Sequence, residues 1–301
     1  MKHKILILSA ILLAQSLIFA GCAKKEVWKT IGAADANSAP AAPSPRREFP
    51  KSEIKSGGFQ NNIPANFEMP ADAVGRKILK EYGALFVARG GATPPNAVVF
   101  KTGSEVADYQ SGVESASETV GGVKIELQAA AMEALKAAAA EARRSGAAIT
   151  PRGTDAARRS YSTTVELWES RVNPGLAYWS GKGRISAADA SRIKSLAPSA
   201  QVAEIFRLEE EGMFFARDLS KSIMYSVAPP GASQHLSMLA LDVSEYENPK
   251  VREILARNGW FQTVVSDLPH FTFLGASEAD LPRLGLKKVS SGGRVFWVPD
   301  I

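Results

Sequence analysis

Apolar and polar positions divide this chain into three stretches. Residues 5–20 are almost wholly apolar, interrupted only by Ser9, Gln15 and Ser16. From Ala23 to about Pro70 apolar residues are scattered without period among Ala, Ser, Asn and Gly, and Pro40, Pro43, Pro45 and Pro50 crowd together. From Ala71 onward the patterning returns. Residues 84–88 and 97–100 are short apolar runs around Gly-Gly and Pro-Pro pairs, which predict two strands. Residues 123–144 combine Ala, Glu, Gln, Lys and Arg with apolar positions at helical spacing and stop at Gly146. They predict a helix whose alanine surface suits close packing on a sheet. Residues 147–150 predict a short strand and 163–171 a helix built on Val165, Leu167 and Trp168. A further helix at 186–196 opens with Ser186 and Asp189 spaced as a capping box. Asn248-Pro249 opens another, closed by Asn258-Gly259. Late strands are expected at 263–265, 271–273 and 294–298. Helices first and strands later predict an α+β domain, a small antiparallel sheet packed against helices.

The apolar leader follows Lys2 and Lys4 and precedes the small pair Ala20-Gly21, the layout of an export signal rather than of a spanning helix. Phe19-Ala20-Gly21-Cys22 resembles the bacterial lipobox, with Phe for the usual Leu, which implies that Cys22 is lipidated and becomes the mature first residue. Ala23 after Cys22 resembles sorting to the outer membrane, on its periplasmic face, if the envelope is Gram-negative. Cys22 is the only cysteine, so no internal disulfide or thiolate site is available. The expected organisation is a signal peptide at 1–21, a lipidated cysteine with a disordered linker at 22–70, and one folded domain at 71–301. A coil of that linker's composition spans on the order of 35–40 Å. The net charge of +5, part of it from Lys2 and Lys4, is too mild to argue for nucleic acid, and no basic run carries interleaved aromatics. Ser52-Glu53-Ile54-Lys55 and Lys101-Thr102-Gly103 match motifs of serine penicillin-binding enzymes, but too little chain separates them to build that catalytic domain.

The chemistry concentrates late in the chain. Of three histidines, His3 lies in the leader; His235 is followed by Asp242, and His270 is preceded by Asp267. Two imidazoles and a carboxylate are the ligand set of an open catalytic zinc site, and a further acid beside it meets the need for a water-activating base. The expected assignment is His235, Asp242 and His270 on Zn²⁺, with Asp267 as base. Bonds of about 2 Å to one ion bring ligating atoms within roughly 3–4 Å, whereas a straight strand would part His235 and Asp242 by about 23 Å. The segment must bend, with His235 in a loop and residues 240–242 entering a strand. Pro269 favours a turn that lets Asp267 and His270 converge.

Ser233-x-His235-x-x-x-x-Ala240-x-Asp242 followed by Asp267-x-x-His270 resembles the zinc D-alanyl-D-alanine carboxypeptidases of the VanY type. These share a superfamily with lysostaphin and the hedgehog amino-terminal domain. Arg158-Arg159-Ser160-Tyr161 is similar to the upstream Y-R-S segment of that family. The resemblance implies hydrolysis of peptidoglycan stem peptides, with Arg159 stabilising the oxyanion and Ser233 contacting substrate. It also departs from the pattern: Met238 stands where the family has Gly, Thr164 where a Gln is expected, and Asp267 where most members use Glu. Asp-x-Pro-His-Phe at 267–271 instead resembles phage endolysins of the superfamily, which cut the L-alanyl-D-glutamate bond. Cleavage there or in a cross-bridge, or a wall-binding module that keeps the metal without turnover, are the alternatives. The expected partners are stem peptides and, through the lipid, a membrane; nucleic acid is not expected, and the expected state is a monomer.

Overall fold

The computed structural model of the protein describes residues 48–49 and 54–301. The expected export signal, Cys22 and most of the expected linker lie outside the described residues. A short helix α1 (Phe59–Asn62) precedes α2 (Ala73–Tyr82), α3 (Gly103–Gly112), β1 (Ser115–Val120), β2 (Val123–Gln128) and α4 (Ala129–Arg144). Three helices follow, α5 (Tyr161–Gly181), α6 (Ala187–Lys194) and α7 (Pro198–Glu210). The remainder is β3 (Ala240–Asp242), α8 (Pro249–Arg257), β4 (Trp260–Phe261), β5 (His270–Phe273) and the hairpin β6 (Leu286–Ser291)–β7 (Arg294–Pro299). The class is α+β, as the patterning predicted.

Among the described residues three small antiparallel sheets carry the strands, and the one that matters for the site has the order β3-β5-β4. Side chains alternate across it. Leu241, Phe271 and Phe273 point into a core shared with the apolar side of α4 and α8. The opposite face carries Ala240, Asp242, His270 and Thr272, by the two-residue period of a strand. A second core forms around residues 83–87, α5 and α7, with Trp168, Phe206 and Phe215 at its centre.

Helix ends follow their local signals. Asp72, Thr102, Ser160, Ser186 and Asn248 each accept a backbone N–H of the first turn, satisfying donors the helix cannot. Ser160 matters most, because its cap places Arg159 one residue outside α5. The helix runs past the expected Arg171 to Gly181, through Pro174.

Elsewhere the patterning misleads. Residues 123–144 are not one helix: Gly121 and Gly122, both at positive φ, turn β1 into β2, and Val120 pairs with Val123. Ile125 and Leu127 then face inward as a strand requires, and the helix starts only at Ala129. Gly83–Val87 is a buried 3-10 helix rather than a strand, since an apolar run enclosed on all sides has no exposed face to set a period. Residues 97–100 contribute only a bridge from Ala97 to Glu68, and 147–150 form no strand, pairing resuming at Pro151 with Val243. Residues 263–265 form no strand either, because β4 stops at Phe261. The folded region also begins before Ala71. Phe59 is 2% exposed in the second core, and Asn62 donates from its amide to the Arg283 carbonyl at 3.2 Å, so residues 54–70 pack rather than dangle.

Candidate metal centre

Register builds the first two thirds of the site. Asp242 and His270 are direct partners across β3 and β5, so their side chains leave the same face side by side. His235 reaches them from a 3-10 turn, Gln234–Ser237, which ends in Met238 with left-handed backbone (φ 56°). That reversal supplies the bend the spacing demands. It also accounts for the Gly/Met departure: a left-handed residue other than glycine costs roughly 1–2 kcal/mol, which full burial of the Met238 side chain offsets.

The three ligating atoms form a nearly equilateral triangle. His235 Nε2 lies 3.1 Å from His270 Nδ1 and 3.4 Å from Asp242 Oδ1, and His270 Nδ1 lies 3.3 Å from Asp242 Oδ1. Tetrahedral bonds of about 2.0–2.1 Å put ligand atoms about 3.4 Å apart, so the triangle fits one such ion at its open face. His235, Asp242 and His270 form a cluster that can hold a metal ion.

The outer partners decide which lone pairs point inward. His235 Nδ1 lies 2.8 Å from the Ala157 carbonyl, which can only accept, so the ring proton sits there and Nε2 is bare. Gln234 donates from its amide nitrogen to the Tyr82 carbonyl, which turns its Oε1 toward His270 Nε2 at 2.9 Å. Thr272 donates to the same oxygen. His270 therefore carries its proton on Nε2 and presents a bare Nδ1. Asp242 offers Oδ1 inward while Oδ2 accepts from Arg159 Nη2 at 2.6 Å. Three electron-rich atoms face one point with no proton between them, an arrangement a cation relieves. Each ligand has the external partner that orients metal-binding side chains.

Electrostatics agree. Burial lowers the His235 pKa, the Asp242 charge opposing it only in part, so the imidazole is neutral. Burial would raise the Asp242 carboxyl, but the charge that His235 and His270 take on when protonated more than reverses this and holds it well below the usual carboxylate range, so Asp242 is already ionised wherever the imidazoles are neutral. A neutral imidazole beside an ionised carboxylate is the ligand state a divalent ion needs.

Both imidazoles open onto a cavity of about 290 Å³, whose wall also carries Asp267, Ser233, Arg159 and Thr164. Asp267 lies exposed in the turn that leads into β5, where its carbonyl accepts from His270 N–H. Ser233 immediately precedes the 3-10 turn, half buried. Of the adjacent arginines, Arg158 turns outward to Glu126 and Gln110, and Arg159 turns in to Asp242. Expected over the oxyanion, Arg159 here grips a ligand carboxylate. Sequence reasoning missed Gln234 and the Ala157 carbonyl; only the former's place beside His235 hinted at a role. No family model matches the sequence, and no curated protein or solved structure matches the chain.

Proposed function

We propose that the protein is a zinc-dependent peptidase of peptidoglycan stem peptides, acting as a D-alanyl-D-alanine carboxypeptidase, exported and held to the envelope by a lipid on Cys22. The observation that carries this reading is the triangle of bare His235, His270 and Asp242 atoms, whose two imidazoles line a cavity with a carboxylate, Asp267, on its wall. The donor set, two imidazoles and one carboxylate, suits zinc. When bound, such an ion supplies Lewis-acid polarisation of a carbonyl and acidifies water. The protein's own groups would do the rest. Asp267 takes a proton from the attacking water and returns it to the leaving amine. Arg159 holds Asp242 in position, and Ser233 contacts substrate beside the imidazoles. The wall-peptide substrate rests on the S-x-H…D and D-x-x-H resemblance.

Purified muropeptides incubated with the zinc-loaded protein, with products followed by mass spectrometry, test the proposal. Loss of one terminal alanine is the expected result. Internal cleavage would assign the endopeptidase reading, which the endolysin-like sequence at 267–271 favours, and retention without turnover would remove the enzymatic one. Asp267→Asn should lower kcat by about 10²- to 10⁴-fold while zinc content stays unchanged. Full activity in that variant would displace Asp267 as the base.

A further inference from the structure

The cavity holds a second arginine. Thr164, Leu167 and Arg171 line it at i, i+3 and i+7 of α5, one stripe of the helix. Arg159 is committed to Asp242, and the two side chains are only 16% and 14% exposed. Arg171 forms no ion pair with any described residue: its Nη1 donates to Ser170 Oγ at 2.9 Å, and its buried Nε has no partner. Arg171 lines the same cavity as His235 and His270, one helical turn beyond Leu167. The Nη2 end donates to no described residue, and a half-buried guanidinium with such a free end on the wall of a cavity is a receptor for a carboxylate oxygen. Tyr225, 58% exposed, lines the same cavity, with Lys221 Nζ 5.8 Å from its ring centre.

We infer that Arg171 recognises a carboxylate of the peptide bound in the cavity and so selects acidic over amidated substrates. This deepens the proposed function and rests on it for the identity of the peptide. The carboxylate has two sources, the free chain terminus or an acidic side chain further along the stem. Thr164 and Arg171 are about 10 Å apart along the helix axis, so the cavity accommodates either.

Calorimetric titration of the full chain, metal-free and zinc-loaded, would use three synthetic stem peptides. One is unmodified, one amidated at the terminus, one amidated at the side-chain carboxylate. The inference expects one amidation to weaken binding by about 10- to 100-fold, the scale of a charge-assisted hydrogen bond. It expects that preference to vanish in Arg171→Gln and to survive partly in Arg171→Lys. Which amidation weakens binding names the source. Equal binding of all three peptides, no binding, or a preference that persists in Arg171→Gln would overturn it. The two readings separate cleanly. Metal-dependent hydrolysis that ignores amidation leaves the peptidase and removes Arg171's role, whereas Arg171-dependent binding without hydrolysis does the reverse.

Discussion

Gln234 tests the site at the scale of a single side chain. Its Oε1 receives His270 and Thr272, and its amide nitrogen reaches Tyr82. Gln234→Leu would leave those buried groups unmet, at about 1–3 kcal/mol apiece, and release the His270 ring. Zinc affinity measured by chelator competition should fall by about 10- to 100-fold; unchanged affinity would remove Gln234 from the support of the site. The pKa directions give a second expectation. His235 is depressed by burial, and Asp242, against its own burial, by the imidazoles once they protonate, so for both the unfolded chain binds protons more readily than the folded one. The stabilisation from His235 is complete above the ordinary histidine value of about 6.5 and is lost as pH falls through its lower folded value. The Asp242 contribution persists to more acid pH. Urea unfolding of the metal-free protein should therefore show lower stability at pH 5 than at pH 7, and zinc affinity should decline over the same interval. A rise toward acid would contradict the neutral assignment of His235. The ligand candidates were legible because only two histidines follow residue 3. Gln234 was not, because neighbours on a 3-10 turn point in directions that sequence order does not state.

Secondary-structure elements show where local signals suffice and where they compete. Caps at Ser186 and Asn248 and the Asn258-Gly259 stop appear where the sequence predicts them. At 123–128 helix-forming residues invited one continuous helix, yet the alternation Val-Lys-Ile-Glu-Leu-Gln after Gly-Gly wins, because pairing with β1 buries Ile125 and Leu127. Gly175 makes the competition measurable. Helix propensity favours alanine there by about 1 kcal/mol. A Cβ at Gly175 would, however, stand 2.3 Å from Phe215 Cδ1, on a ring with no exposure and little room to move. Overpacking of that kind costs about 1–3 kcal/mol, so Gly175→Ala should be neutral to destabilising by about 2 kcal/mol in urea titration. A clear gain in stability would mean that the ring yields.

At the scale of the molecule the expected boundary at Ala71 is the instructive error. Its composition reads as linker, but Phe59 fills the second core, and Gly285, at positive φ, lies so close to the Phe59 backbone that a Cβ would not fit. A chain beginning at Ala71 should lose about 3–5 kcal/mol, the scale of removing one buried Phe, relative to one beginning at Glu48. Equal urea midpoints would return residues 54–70 to the linker. Sequence alone determined the metal-ligand candidates, the α+β class and several helix ends, because scarce residue types, caps and turn glycines act over a few positions. Tertiary structure alone decided which lone pairs face the ion, which arginine turns inward and where folding begins. Those depend on strand register and on hydrogen bonds between residues as far apart as His235 and Ala157, 78 positions in sequence. Such contacts become favourable only once burial has brought the segments together.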